Sequence, residues 1–373
     1  MNSVFRKRKP LINMETEQHL QYLFRSLQHH PSPYLIYELD GSIRWANIAA
    51  QFILRIKDLS DLSIKVPKKA NKIQLDKDEI ASSYDTPIEV KLRKIRFFMR
   101  SRVHLIPIKD SEGFLLIEIL CSSRSGLEAL QQTISCIEFD RIDLAYQKQL
   151  DLKTNEITGV EALLRMRDEQ GNIIPNDVII PQIEGESLFS LVVLSSLEKL
   201  KEFFKSKNSL GLSDATVYLN VSAHTVMHPE FCKIFIDFVE TMELKTGEFG
   251  LEVTETAELG NTNQASKSLQ KLKNKGIKIA LDDFGAGYSS LRYLKDLPVD
   301  VVKLDKMFTD GIDDPVTGKL ISFVVEVCEA LDMEMIGEGI ETQKQKQAMI
   351  DIGCPIGQGF LMHKPEFLET FNK

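Results

Sequence analysis

The sequence lacks cysteines at the spacings that disulfide frameworks and zinc sites use. Its five cysteines are scattered and none forms a Cys-x-x-Cys pair; they are Cys121, Cys136, Cys232, Cys328 and Cys354. An odd number of isolated thiols is typical of reduced cysteines. We therefore expect a cytoplasmic protein without a disulfide framework or a zinc ribbon.

Long hydrophobic runs are also missing. The most apolar stretch, Leu188 to Leu197, is too short to cross a bilayer and contains serines, so we interpret it as a buried helix. The first ten residues are basic but lack the apolar core that a signal peptide needs. We therefore expect no membrane span and no secretory signal.

Basic charge is in deficit. The formal net charge is −8, whereas a protein that coats nucleic acid needs a basic surface, so we expect neither DNA nor RNA as a partner. Hydrophobic residues make up 43% of the chain and charged residues 27%, which is ordinary for a globular protein. At about 150 residues per domain, 373 residues give two or three domains.

The first third of the chain predicts a hairpin followed by a helix. Tyr34 to Glu38 and Ser42 to Trp45 flank the turn dipeptide Asp40-Gly41, which is typical of a β-hairpin. Asn47 follows and is suited to cap a helix over 48–54.

Other elements surround this hairpin. A helix is predicted over 14–29, and the histidines at its end favour a polar terminus over a metal pair. A lysine-rich stretch over 65–77 predicts a solvated loop, with a binding patch as the lesser alternative. Strands are predicted over 87–107 and 114–121.

The hairpin, helix and strand order is typical of a small α+β sensory module. The stretch from Asp40 to Asn47 resembles PAS domains, and we predict a PAS-like domain over 14–121, with Trp45 as a packing residue. Residues 122–138 are predicted to form a helical linker.

From residue 139 onward, strand candidates alternate with helical stretches, which predicts a parallel β-barrel with outer helices. Two strands, 145–152 and 157–166, are joined by a turn too short for a parallel crossover, so one strand should be antiparallel. The later candidates are Val217–Ser222, Phe249–Thr254, Ile277–Asp282, Val301–Leu304, Met335–Gly337 and Gly357–Phe360. The predicted fold is α/β, a modified TIM barrel after a small α+β domain.

An acidic pair, Asp282 and Asp283, ends one of these strands. Neighbouring strand residues point to opposite faces, so both carboxylates converge only if the backbone turns there. Gly285 and Gly287 are expected to supply the turn, and Ser289 or Ser290 to cap the next helix.

Each barrel strand ends in a polar or charged side chain, where barrels of this kind carry their chemistry. These residues are Glu161, Asn220, Glu252, Asp282, Asp283, Lys303, Glu338, Glu341 and Gln358, with Leu163 and Arg165 on the face of Glu161. Five crowded carboxylates cannot all stay ionised without compensation. Oxygen ligands favour two Mg²⁺ or Mn²⁺ ions, with Asp282 best placed to bridge them, and such a pair suits phosphodiester hydrolysis. Lys303 is placed to hold the attacking water or to stabilise transition-state charge.

The combined motifs resemble the EAL domain family of cyclic di-GMP phosphodiesterases over residues 139–368. The motifs are Glu161-Ala162-Leu163, Asn220-Val221-Ser222, Glu252-Val253-Thr254-Glu255, Asp282-Asp283-Phe284-Gly285-Ala286-Gly287-Tyr288-Ser289-Ser290, Val302-Lys303-Leu304-Asp305, Glu338-Gly339-Ile340-Glu341-Thr342 and Gln358-Gly359-Phe360. No Gly-Gly-Asp/Glu-Glu-Phe stretch, the mark of a cyclase half, occurs in the sequence.

The resemblance implies a role for each residue. Metal ligands would be Glu161, Asn220, Glu252, Asp282, Asp283 and Glu338; residues with catalytic roles would be Lys303, Glu338, Glu341, Gln358 and Glu255; substrate contacts would be Arg165, Leu163 and Gln358. The implied reaction opens cyclic di-GMP to linear pGpG, and a homodimer is the usual assembly for domains of this type.

The sequence departs from the family at a few positions, of which residues 183–189 would lie beside the substrate. Met166 replaces a usual tryptophan, Gly337 replaces an alanine, and residues 183–189 follow the pattern loosely. The alternative function is a non-catalytic cyclic di-GMP receptor or protein-interaction module. His224 and His228 have helical i, i+4 spacing, but we expect them to be surface residues rather than metal ligands.

Overall fold

The computed structural model describes residues 24–25, 27–29, 32–38, 43–54, 59, 62–65, 83–92, 95–108, 111–119, 124–183, 187–222, 225–226, 229–254, 262–286 and 291–371. The chain divides into two compact units. The first comprises Met1–Ile142 with Met166–Val192, and the second comprises Asp143–Arg165 with Val193–Lys373.

The first unit contains a six-stranded antiparallel sheet with the strand order β2-β1-β6-β5-β4-β3. The strands are β1 (Tyr34–Glu38), β2 (Ile43–Ala46), β3 (Leu62–Lys65), β4 (Ser83–Leu92), β5 (Ile95–Ile108) and β6 (Ser111–Ile119). Helices of this unit are α1 (Ile48–Ile53), α2 (Arg124–Glu138) and α3 (Asn176–Ile183). The predicted α+β composition is thus present, while the PAS-like identity stays a prediction.

Asn47 fixes the start of α1, as predicted. Its side-chain oxygen accepts hydrogen bonds of 2.9 Å from the backbone N–H groups of Ala50 and Tyr34. The first bond caps the helix, and the second ties the helix to β1. Trp45 is fully buried and stacks on Phe24 with 5.0 Å between ring centroids, which confirms it as a packing residue.

The second unit is a closed barrel of eight strands with helices around it. Its neighbours run in the order β7-β15-β14-β13-β12-β11-β10-β8, and a further pairing of β7 with β8 closes the ring. The strands are β7 (Ile142–Asp151), β8 (Ile157–Arg167), β10 (Thr216–Val221), β11 (Phe249–Thr254), β12 (Lys278–Phe284), β13 (Val301–Leu304), β14 (Glu334–Gly337) and β15 (Ile356–Gly357). Because β7 pairs antiparallel with β15 while the others are parallel, the predicted modified barrel is confirmed.

Short strands and helices complete the described chain. Met166 and Arg167, at the end of β8, pair antiparallel with β9 (Ile173–Ile174), and β16 (Glu366–Phe367) pairs with β7. The helices are α4 (Ser187–Ser206), α5 (Pro229–Thr241), α6 (Thr262–Lys273), α7 (Leu291–Asp296), α8 (Lys306–Asp310), α9 (Pro315–Ala330) and α10 (Gln343–Ile352).

The barrel interior is filled at one level by large side chains that face small ones. Tyr218, Ala280, Val301, Ile336 and Ile356 form a buried cluster drawn from five strands. Glycines on the neighbouring strands make room for the tyrosine ring, since a Cβ added at Gly250 would lie 2.4 Å from Tyr218 Cδ1. The packed interior leaves the polar side chains to the strand ends.

Most sequence predictions for the barrel strands are confirmed, and one differs clearly in its extent. The last predicted strand, 357–360, is wrong in its extent because pairing stops at Gly357. The backbone then turns close to Ile340, where a Cβ on Gly359 would lie 2.1 Å from the Ile340 carbonyl oxygen. The predicted connecting helix is present as α2.

Several predictions fall outside the described residues. The helix over 14–29 is described only at its end, where His29 is exposed, and the lysine-rich stretch is described only at Lys65, the last residue of β3. Cys121 also lies outside, and the four described cysteines are buried thiols without disulfides. In the part of the chain that the structure covers, no helix has both the length and the apolar character to span a bilayer.

Candidate active site

The carboxyl ends of the barrel strands bring the predicted polar residues together. Parallel registers place Asn220 beside Glu252, and Thr254 beside Asp282, on adjacent strands. Glu161, Glu252, Asp282, Lys303 and Gln358 are all buried. A set of charges buried on this scale needs internal pairing, because each would otherwise lose its hydration without compensation.

Lys303 supplies the central pairing. Its ammonium nitrogen lies 2.6 Å from Glu252 Oε2, 2.8 Å from Glu338 Oε1 and 2.9 Å from Asp282 Oδ1, and 3.5 Å from Glu161 Oε2. The side chain is 1% exposed. Burial disfavours its charged form, but the four carboxylates outweigh burial and raise the pKa of Lys303 well above its usual range. Lys303 is therefore a fixed positive charge inside the acidic cluster.

Glu161 is held by amide donors. It accepts hydrogen bonds from Asn220 Nδ2 at 2.6 Å and from Gln358 Nε2 at 2.5 Å. Burial disfavours the ionised form, but Lys303 and the two amides outweigh burial and lower the pKa of Glu161. This carboxylate is consequently ready to bind a cation.

Two groups of carboxylates share one residue. Glu161, Glu252 and Asp282 each present a ligand atom within 4.8 Å of the others, and so do Asp282, Asp283 and Glu338. Asp282 belongs to both groups, which is the arrangement that two neighbouring cations require. Its buried Oδ1 lies 2.9 Å from Lys303 Nζ and has no other hydrogen-bond partner among the described residues, so the carboxylate keeps lone pairs for a cation.

A β-bulge explains how two neighbouring aspartates reach one site. The register of β12 against β13 shifts between Leu281 and Phe284, and Asp283 adopts a left-handed φ of 53°. The extra residue turns the second carboxylate toward the first. The predicted backbone turn is therefore confirmed, but Asp283 makes it together with Gly285, whose φ is 102°. Gly287, Ser289 and Ser290 lie outside the described residues.

Protonation of the cluster is uneven. Burial, followed by the charge of Glu161, raises the pKa of Glu252 well above its usual range. Burial also raises the pKa of Glu338 to about 8 and that of Asp283 to about 6, with Asp282 adding to both shifts. Lys303 alone cannot neutralise five carboxylates, and part of the cluster keeps its protons at neutral pH unless cations compensate.

The remaining predicted residues occupy different surroundings. Arg165 is half-buried and donates from Nη1 to the carbonyl oxygen of Leu164 at 2.8 Å, and Leu163 is half-buried. Glu341 does not join the cluster; it pairs with Lys306 at 2.6 Å on an exposed surface. Glu255, His224 and His228 lie outside the described residues.

The structure shows the surroundings of the positions that depart from the family pattern. Met166 is fully buried and, by strand alternation, points to the face opposite Arg165. A methyl group at Gly337 would lie 3.1 Å from Met349 Cε and 3.4 Å from Cys354 Sγ, so these two side chains fill the space. Of residues 183–189, Ile183 and Phe189 are buried.

Two buried glutamines of β7 were missed by sequence reasoning. Gln147 accepts a hydrogen bond from Gln358, and Gln149 donates to both Gln358 and Glu252. Their two-residue spacing puts them on one face of the strand. The run Tyr146-Gln147-Lys148-Gln149, polar on a strand expected to be buried, was the available signal.

Comparisons with known proteins identify relatives of this chain. Residues 127–365 match the family described as EAL domain. The chain is 32% identical over 238 residues to the signaling protein YkoW of Bacillus subtilis, and 33% identical over 241 residues to the cyclic di-GMP phosphodiesterase PdeA of Borreliella burgdorferi. The matches cover 64% and 63% of this chain but only 30% and 35% of those proteins. The chain thus spans about a third of the length of each relative.

A solved structure agrees with the sequence matches. The PaMucR phosphodiesterase in complex with c-di-GMP superposes with a TM-score of 0.59 at 28% identity, over 65% of this chain and 98% of that one. The family match covers well over half of the 373 residues. The chain therefore belongs to the EAL domain family.

Proposed function

We propose that the protein hydrolyses cyclic di-GMP to linear pGpG with the help of two divalent cations. The observation that carries the proposal is the pair of carboxylate groups that share Asp282. The family, and relatives named as cyclic di-GMP phosphodiesterases, support the choice of substrate. The side chains of the site would then contribute cation binding, orientation of water and contact with the substrate.

The donor set fits Mg²⁺ or Mn²⁺. One ion would be held by Glu161, Asn220, Glu252 and Asp282, and the other by Asp282, Asp283 and Glu338. All of these ligand atoms are oxygens, which hard cations prefer over the nitrogen and sulfur ligands typical of zinc. When bound, such a pair activates a water molecule and stabilises charge on the phosphodiester in the transition state.

The protein side chains position the reactants. Lys303 presents an ammonium group among the carboxylates, where it would orient the attacking water by donating to its oxygen in place of one present carboxylate contact. Gln358, which donates to Glu161, would lie next to the same water. Arg165 would contact the substrate phosphate. Burial lowers the pKa of its guanidinium, and the charge of Glu161 opposes that shift. Glu255 would hold the loop that follows Asp283.

Product formation tests this function directly. We expect purified protein with Mg²⁺ or Mn²⁺ to convert cyclic di-GMP to pGpG, and Glu161→Ala to abolish the conversion. Chromatography of the nucleotides measures both. Binding of cyclic di-GMP without turnover would instead identify a receptor. Retention of every carboxylate ligand favours the enzyme over that alternative, and regulation by the N-terminal unit remains part of the proposal.

Cation binding should depend on pH. Glu338, with a pKa near 8, and Asp283, with a pKa near 6, must each lose a proton before they bind a cation. Below pH 6 both are protonated, and above pH 8 neither is, so the affinity for Mg²⁺ should rise across that window. Calorimetric titrations at pH 6, 7 and 8, in buffers of different ionisation enthalpy, measure affinity and proton release. A constant affinity would contradict the expectation.

A second copy of the chain is the proposed partner. Helix α9 exposes an apolar stripe of Val316, Leu320 and Phe323, which are 63%, 50% and 47% exposed and recur at helical spacing. A symmetric dimer buries such a stripe against its own copy. We expect Leu320→Glu to shift the protein from dimer to monomer in light scattering. Lys205→Glu, an exposed change on α4, should leave the dimer intact, and a monomeric wild type would end the proposal.

A further inference from the structure

The antiparallel strand β7 contributes no metal ligand, yet two of its side chains reach the acidic cluster. Gln147 and Gln149 are 6% and 1% exposed. Burial of a neutral amide costs free energy unless its donors and acceptor find partners. Gln149 donates to two residues of the candidate site, and Gln147 contacts one of them as well as the His363 backbone, so their contacts indicate what they do there.

Gln149 bridges two elements of the site. Its Nε2 donates to Gln358 Oε1 at 3.0 Å and to Glu252 Oε1 at 3.3 Å. Lys303 binds the other oxygen of Glu252 at 2.6 Å. Glu252 therefore has each oxygen assigned to a different donor, which fixes the rotation of its carboxylate.

Gln147 also orients Gln358, through the amide nitrogen that Gln149 does not contact. Its Oε1 accepts a hydrogen bond from Gln358 Nε2 at 3.0 Å, while its own Nε2 donates to the backbone oxygen of His363 at 3.0 Å. With its oxygen bound by Gln149 and its nitrogen bound to Gln147, Gln358 cannot flip its amide. The nitrogen of Gln358 is thus held toward Glu161.

The backbone leaves room for this arrangement. A Cβ added to Gly159 of β8 would lie 2.2 Å from Gln149 Oε1. The amide of Gln149 therefore rests directly on the backbone of β8, two residues before Glu161. Because both glutamines are neutral, they orient two carboxylates without altering the charge of a cluster that already holds five acids.

We propose that Gln149 is a positioning residue that holds Glu252 and Gln358 in the geometry needed for cation binding, with Gln147 as its support. The proposal rests on the proposed function, since it assigns these glutamines to the same site. Partners of this kind orient the ligands of a metal, and removing one commonly lowers affinity by about 10- to 100-fold.

Calorimetric titration of Mn²⁺ into the full chain tests the proposal. We expect Gln149→Leu to weaken Mn²⁺ binding by about tenfold or more. The control is Thr216→Val, which removes a buried hydrogen bond of 2.8 Å to the Gly247 carbonyl at the opposite end of β10. That variant should melt at a lower temperature than wild type but bind Mn²⁺ normally. Wild-type affinity in Gln149→Leu, or an equal loss in Thr216→Val, overturns the proposal.

A second pair of variants covers the case in which Gln149→Leu does not fold. Gly159→Ala should push the Gln149 amide out of place and weaken Mn²⁺ binding, whereas in a Gln149→Ala background the same change should have little further effect. Additive losses would contradict a role through Gln149. If wild type itself bound no Mn²⁺, the proposed function would fail, and wild-type binding with unchanged variants would refute only the role of Gln149.

Discussion

Replacement of Asp282 by asparagine should lower the rate of pGpG formation by about a hundredfold to a thousandfold. Losses of this size follow when one electrostatic contact is removed from a reacting centre. The effect should exceed that of any other single ligand, because Asp282 belongs to both carboxylate groups. Asparagine keeps the shape of the side chain but loses the charge that two cations would share.

Asp283→Asn is the matched control at the neighbouring position. Asparagine tolerates the left-handed backbone of Asp283, so the bulge should survive, and only one group loses a carboxylate. Calorimetry should then give two Mn²⁺ ions for wild type, one for Asp283→Asn and fewer than one for Asp282→Asn. Two tightly bound ions in Asp282→Asn would rule out a shared ligand.

Lys303→Met should strongly destabilise the protein in the presence of a chelator. The variant removes the only positive charge that touches Glu161, Glu252, Asp282 and Glu338 among the described ion pairs. Loss of one partner from a buried ion pair typically costs about 3–5 kcal/mol. Urea denaturation with EDTA measures the loss in the free energy of unfolding.

Mg²⁺ should restore more stability to Lys303→Met than it adds to wild type. In the variant the four carboxylates have lost their lysine partner, and bound cations would neutralise them instead. Lys207→Met is the matched control. Lys207 is 3% exposed and pairs with Glu248 at 3.4 Å, before β10 and β11 begin, away from the cluster. Its variant should lose stability that Mg²⁺ does not restore. An equal response of both variants to Mg²⁺ would contradict the assigned role of Lys303.

The sequence predicted the acidic part of the site, because adjacent carboxylates restrict the backbone conformations that can bring them together. Adjacent aspartates at a strand end required a backbone turn, and the structure contains one. The turn was assigned to glycines alone, because sequence patterns do not reveal that an aspartate accepts a positive φ when its neighbours fix it. The prediction of Asp282 as the shared residue rested on the same reasoning and agrees with the two carboxylate groups.

Other residues could not be placed from the sequence. Glu341 was grouped with the cluster by its motif, but the backbone turns after β14 and leaves it paired with Lys306. Gln147 and Gln149 were missed because they lie within β7, whereas the prediction of the site rested on polar residues at strand ends. The end of β15 was misplaced because the close approach of Gly359 to the Ile340 backbone depends on two segments distant in sequence.

The β-bulge in β12 also determines how the arrangement of the two carboxylate groups could vary. A strand can gain or lose register only by whole residues, and removing the extra residue would send the Asp283 carboxylate to the opposite face. The main chain therefore sets whether the Asp283 carboxylate faces the cluster, and this choice has only two states. Any event that straightens this strand would leave the second group with two carboxylates, while the first would keep all three of its own.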